Sequence, residues 1–361
     1  MTQSKRLAKE YEQFVKQFGY EPATFATSLE EVRNRIHSAP LSEKDRERRS
    51  LEWEMFLSGC GSKATSQENM KLDPSGYGKF LDDVVTTSSI NRVTTDIVYC
   101  GEFPTNEFNA SARAVRTGHL ILLNRGLRQL LYNLSLAVCY HIKDRNELTS
   151  AIAIPRSREW GEIAIYVIGI ILNYFKGQLS FNWNGCKHTQ DCLIASSGLS
   201  GAMRSFVVAH EVAHAEMGHL DDNRTFHIKT PLGDIEIISK SYDQEFEADL
   251  LAQQVSIEIA RNERAVGIVC GGVAFIMIDG IIELARARFF NQYIEQSSTH
   301  PLAEYRLTAL MEYIKANCSA LEYQWCQQAL AIFVQVIEIV EQANITLNDG
   351  KISVSFDIED S

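Results

Sequence analysis

The run Val207-Val208-Ala209-His210-Glu211-Val212-Ala213-His214 constrains this chain more than any other stretch. Its apolar residues belong in a packed interior, yet it carries two histidines and a glutamate. On an α-helix, residues four apart share a face, so His210 and His214 present their imidazoles toward one point. That is the geometry of a divalent-metal clamp. Glu211 sits about 100° round the helix from His210, near enough to act as a general base on a water at such a metal without being a ligand. H-E-x-x-H fixes only three positions in five, so the rest of the chain has to supply the remainder of a site.

Two imidazoles leave a zinc site one protein ligand short, and a catalytic site keeps its fourth position open. The candidates downstream are Glu216, His219, Glu245, Glu247 and Asp249. Glu216 lies two residues past His214 on the same helix and therefore points about 200° away. His219 comes five residues after His214, whereas the metzincin pattern places a glycine three and a histidine six residues after the second histidine. Glu245 falls on a new predicted helix beginning near Tyr242, with Asp249 one turn further along the same face. Glu245 can then ligate while Asp249 orients a ligand histidine, a support that metal-bound imidazoles usually have.

The surrounding chain is compatible with such a site. Its 361 residues allow one large or two ordinary domains with a real core, and 45% hydrophobic with 22% charged residues is a globular composition. A net charge of -11 disfavours non-specific binding to nucleic acid or to anionic membrane, which need basic surfaces. Protein or small-molecule partners are expected instead. No apolar segment follows the basic residues of Met1 to Arg6, so no signal peptide is expected and the cytoplasm is the expected location. Eight cysteines without a C-x-x-C pair read as reduced, mostly buried thiols. The apolar runs Ile163 to Phe175 and Ala265 to Ile278 fall short of the roughly 20 residues of a bilayer span and read as core elements.

Periodicity predicts a predominantly helical α+β chain. Leu7, Tyr11, Phe14, Val15 and Phe18 mark a helix over residues 5–18, and a second follows from Ser42 to Leu57. Ser58 to Gly78 reads as a loop. Strands are expected at Val93 to Val98 and at His119 to Leu123, followed by helices at Gly126 to Cys139 and Ile163 to Phe175. Gly185 to Ser200 reads as a polar loop whose Cys186, His188 and Cys192 lack a matching fourth metal ligand. The metal-clamp helix is predicted from Ser200 to Met217, with Gly218 placed to end it. A hairpin around Pro231 to Asp234, a core helix at Gly267 to Gly280, a long helix at Leu321 to Ala343 and a final hairpin turning at Asn348-Asp349-Gly350 complete the reading.

His210-Glu211-x-x-His214 followed by Glu245-x-x-Ala248-Asp249 resembles the gluzincin metallopeptidases of the CAAX prenyl protease and HtpX heat-shock protease type. His300-Pro301 with Arg306 is similar to that family's H-P-x-x-x-x-R segment. Asn109-Ala110, Gly118, the strand to Leu123 and Gly126-Leu127 are similar to its strand beside the zinc helix. The resemblance implies a zincin-like core with a small sheet, zinc held by His210, His214 and Glu245, Glu211 as base, and Asp249 behind the ligands. It also implies that His300 and Arg306 lie near the site, holding the substrate carbonyl or the fold of the cleft. Ala213 stands where many relatives have glycine. Prenyl proteases work within the membrane, and the absence of long apolar spans in the sequence implies a soluble cousin with another substrate. The H-E-x-x-H-x-x-x-G-H form, with Gly218 and His219, is also similar to Lit-like phage-exclusion peptidases.

The organisation expected is an N-terminal helical extension over residues 1–80, a zincin-like metallopeptidase domain over 81–315, and a C-terminal helix and hairpin over 316–361. The expected activity is that of a zinc endopeptidase acting on a protein substrate, regulatory or defensive in role, with a regulatory partner at either end of the chain. The alternative is a zincin-like sensor or interaction module with a structural metal.

Overall fold

The computed structural model describes residues 3–18, 37, 43, 46–47, 77–140, 158–177, 188–220, 225–230, 233–238, 241–290, 301–348 and 351–356. The expected helix at Ser42 to Leu57 lies almost wholly outside these residues. Among the described residues the fold is α+β and predominantly helical, with three small sheets. It is organised around one helix.

In chain order the first elements are α1 (Gln3–Gln17), α2 (Tyr77–Val85), β1 (Val98–Phe103), β2 (Ala110–Val115), β3 (Gly118–Asn124), α3 (Arg125–Val138) and α4 (Arg158–Phe175). Then come α5 (Gln190–Glu216), β4 (Thr225–Thr230), β5 (Gly233–Ile238) and α6 (Tyr242–Glu263). A 3-10 turn (Val266–Cys270) leads to α7 (Gly271–Phe290), α8 (Ala303–Asn317), α9 (Ala320–Gln342), β6 (Ala343–Asn348) and β7 (Lys351–Phe356).

The α5 helix, which carries the histidines, packs against α2, α3, α6 and α7. One apolar cluster runs from Tyr77 to Ala343 around it, and Ile345, Val354 and Phe356 of the final hairpin pack on the same cluster. Helix α1 covers the sheet through Leu7, Tyr11 and Val15, against Leu120 and Leu122. Tyr11 lies across Gly101, where a β-carbon would sit 2.6 Å from its ring, and its hydroxyl donates to the Glu102 carbonyl at 2.5 Å. The glycine lets the helix approach the strand.

Several elements depart from the sequence expectations. Helix α5 begins at Gln190, so most of the expected polar loop is helical. The Thr189 side chain caps it by accepting from the Cys192 N–H, and Ser196 turns its hydroxyl back to the Cys192 carbonyl at 2.7 Å. Buried serines satisfied by their own helix make a core face look polar in sequence. Helix α2 begins where a loop was expected, and α8 was not anticipated. The first strand starts at Val98 rather than Val93.

Between the two expected strands lies β2, built of Ala, Ser, Arg and Val without an alternating apolar pattern. It becomes a strand because β3 offers it a ladder. Central β3 pairs parallel with β1 and antiparallel with β2, giving the order β1-β3-β2.

Helix α7 runs past Gly280 to Phe290. A β-carbon at Gly280 would come 3.2 Å from that of Ala303, so the glycine permits the approach of α8. With its preceding turn, this segment reaches 25 residues, and it and α5 are long and apolar enough to cross a membrane by length and composition. Both are mostly buried within the fold, as core helices are.

Candidate metal centre

Helix α5 ends in a motif that fixes the floor of the site. Gly218 adopts φ +77°, in the left-handed region that favours glycine. The His219 N–H returns to the His214 carbonyl at 2.9 Å and the Gly218 N–H to the Ala215 carbonyl at 3.3 Å, the paired bonds of a Schellman C-cap. Helix α6 starts from a capping box in which Ser241 and Gln244 satisfy each other's backbone N–H groups. Glu245 therefore sits in the first turn of α6, where the helix dipole favours a carboxylate.

The packing of α6 on α5 brings three donors together. His210 Nε2 lies 3.1 Å from His214 Nε2 and 3.4 Å from one Glu245 oxygen, while the other Glu245 oxygen lies 3.5 Å from His214 Nε2. All three side chains are buried. Bonds of about 2.0–2.1 Å directed tetrahedrally separate neighbouring donors by about 3.4 Å. The observed spacings fit that figure, and a His-His-carboxylate set matches catalytic zinc chemistry. Among the described residues, this is the group of His, Cys, Asp and Glu side chains that converges in this way.

Each imidazole is also held from behind. Asp249, one turn beyond Glu245, places Oδ1 2.9 Å from His210 Nδ1. Arg306 of α8 grips Asp249 with two bonds, Nε to Oδ2 at 2.7 Å and Nη2 to Oδ1 at 2.8 Å, and its Nη1 reaches Asp279 at 3.3 Å. Burial by itself would raise the Asp249 carboxyl, but the Arg306 guanidinium outweighs it and holds the group below the usual carboxylate range. Burial would likewise lower the His210 imidazole, yet Asp249 and Glu245 push it up to about 9. The pocket favours positive charge.

The sequence-predicted residues thus divide cleanly. His210, His214 and Glu245 converge, Asp249 stands behind His210, and Glu211 is buried on α5 immediately after the first histidine. Arg306 reaches the site through Asp249. His300 lies outside the described residues, as does Cys186, while Cys192 is buried with its sulfur 3.7 Å from His188 Nδ1. Residues 186–326 match the Peptidase U49 family model.

The matched span covers less than half of the chain but holds every residue of the cluster. It supports a Lit-like peptidase family, and it does not single out the prenyl protease and HtpX type. No curated protein and no solved structure gives a significant match to the chain.

Sequence reasoning also passed over contacts that the structure supplies. Glu216, which points away from the cluster, accepts the backbone N–H groups of Asn91, Arg92 and Val93 at 2.8 to 3.0 Å. It ties the end of α5 to the segment leading into β1. His219 and Glu247, considered only as ligands, stand in line behind His214.

Proposed function

We propose that the chain is a zinc-dependent endopeptidase of zincin-like architecture, hydrolysing a protein substrate with Glu211 as general base. The observation that carries this is the convergence of His210, His214 and Glu245 at tetrahedral spacing, on the helix that also carries Glu211, inside the span matching a peptidase family. The chemistry that a zinc ion would supply there is Lewis acidity toward the scissile carbonyl and toward a water near neutral pH. His210, His214 and Glu245 would hold the ion.

Glu211 takes a proton from the attacking water and returns it to the departing amine nitrogen as the C–N bond breaks. No acyl-enzyme is formed, because the nucleophile is water rather than a side chain. Strand β2 forms one side of the sheet β1-β3-β2 and packs against α5. An extended substrate adds itself along that edge by main-chain hydrogen bonds. The acidic overall balance and the free thiols among the described residues suit a cytoplasmic setting.

Cells expressing wild type or Glu211→Gln provide the test, read by mass spectrometry of newly formed protein N-termini. Neo-termini are expected with wild type alone, while purified Glu211→Gln protein keeps its metal. Neo-termini shared by both would remove the assignment of Glu211. Equal metal content in wild type and Glu245→Ala would remove that of the ligand set.

A further inference from the structure

Metal-bound imidazoles hold their orientation through the ring nitrogen that does not bind the metal. For His210 that partner is Asp249. For His214 it is another histidine. His214 Nδ1 lies 2.9 Å from His219 Nδ1, and His219 Nε2 lies 3.1 Å from Glu247 Oε2. His214 is fully buried, His219 nearly so, and the Glu247 carboxylate is 57% exposed.

We propose that His219 and Glu247 are positioning residues that set the orientation and tautomer of His214, forming a hydrogen-bonded line from the metal centre to the protein surface. The proposal rests on the reading of His210, His214 and Glu245 as metal ligands. Its protonation pattern follows from that reading. The Nε2 of His214 faces Glu245 and His210, so its lone pair belongs to the metal and its proton sits on Nδ1. His214 Nδ1–H then donates to His219 Nδ1. That leaves the His219 proton on Nε2, where it donates to Glu247. Every nitrogen has one role, and the chain of donors runs outward to a carboxylate.

The backbone explains why the fifth residue after His214 can do this. A Schellman cap brings its residue beyond the left-handed glycine back over the third residue from the helix end. Here those residues are His219 and His214, joined by the N–H to carbonyl bond at 2.9 Å. Such a pair is usually an apolar contact. In this chain it is two imidazoles with ring centroids 5.2 Å apart at 60°. Glu247 arrives from α6, two residues after Glu245 and on a different face of the helix. The two helices that supply the ligands thus also supply the brace. It is the counterpart of Asp249 and Arg306 behind His210.

His219 is not itself a ligand in this arrangement, since its Nδ1 is turned to His214 and its Nε2 to Glu247. The test is competition for zinc between the full-length protein and a chelator of known affinity, supported by the visible spectrum of the cobalt(II)-substituted protein. His219→Ala should weaken zinc binding by about 10–100-fold, while cobalt(II), added in excess, keeps the wild-type band positions and intensity. His219→Gln, whose side-chain carbonyl can accept from His214 Nδ1–H, should recover most of the loss. Glu247→Ala, at an exposed position that leaves folding undisturbed, should weaken zinc less, by under about tenfold.

Wild-type zinc affinity in both Glu247→Ala and His219→Ala would overturn the proposal, and should His219→Ala fail to fold, Glu247→Ala and His219→Gln decide it. A changed cobalt(II) spectrum in His219→Ala would overturn it in favour of direct ligation. A wild type that takes up no zinc, or a His214→Ala variant that binds as well as wild type, would instead remove the metal reading on which the proposal stands.

Discussion

Replacing Arg306 by methionine should be among the most damaging single changes in the core of this protein. Its guanidinium is 4% exposed and makes two bonds, 2.7 and 2.8 Å long, to an Asp249 side chain that is 2% exposed. Methionine fills much of the same volume, so the loss is electrostatic more than steric. Removing one partner of a buried pair costs about 3–5 kcal/mol when the remaining charge is uncompensated. Here His210, 2.9 Å from Asp249 and pushed up to about 9, stays beside the carboxylate in the metal-free protein, so the loss falls toward the lower end of that range. Asp279 is 27% exposed and can return to water, so it adds little. The loss is a large part of a total stability of about 5–15 kcal/mol.

Urea unfolding of the metal-free protein, followed by circular dichroism, measures it as a lowered midpoint at unchanged slope. Asp249→Asn in the Arg306→Met background removes the stranded charge, and the double variant should be more stable than the sum of the single losses by about 1–3 kcal/mol. A loss below about 0.5 kcal/mol in Arg306→Met, or strict additivity in the double variant, would refute the view that Arg306 acts by holding Asp249.

Two further outcomes follow from packing and from charge. Gly271→Ala should cost about 1–3 kcal/mol, because the new β-carbon would meet the Ala202 backbone carbonyl oxygen of α5 at 2.4 Å; a thermal midpoint equal to wild type would contradict that contact. Glu322 accepts from Arg261 through both oxygens and closes the capping box of α9 with Ser319, so its carboxyl is pushed down from 4.5 to about 2. A depressed carboxylate contributes stability that is present above its unfolded value and is lost as pH falls toward its folded one. Glu322→Gln should therefore be less stable than wild type by about 1 kcal/mol at pH 7, Arg261 being half-exposed, and the gap should close between pH 4.5 and about 2. A gap constant across that range would remove the ionic contribution.

What the sequence by itself determined is everything that depends on local period and local chemistry. His210 and His214 share a face because they are four apart on a helix, and Gly218 ends that helix because it can take a positive φ. The paired strands of the two expected hairpins have the same local origin, and Glu245 and Asp249 are legible from their own helical spacing and from a recurring motif. Helices with clear apolar stripes, such as α1, α3 and α9, were read nearly to their ends.

Tertiary structure alone decided which distant groups meet. Strand β2 has no apolar alternation of its own and exists because β3 supplies its hydrogen-bond partners. The first turns of α5 look like a loop in sequence because they are polar, yet the Ser196 hydroxyl is satisfied within the helix, and only packing shows that face to be buried. Arg306 is far from Asp249 in the chain, and no periodicity connects them. Spacing along the chain presents His219 only as a candidate ligand and does not reveal that the reversal at Gly218 and the arrival of Glu247 on α6 set it between His214 and Glu247. Pattern fixes which way a side chain leaves its own helix, whereas the low-dielectric contacts that bring His210, His214 and Glu245 together depend on how helices remote in sequence pack together.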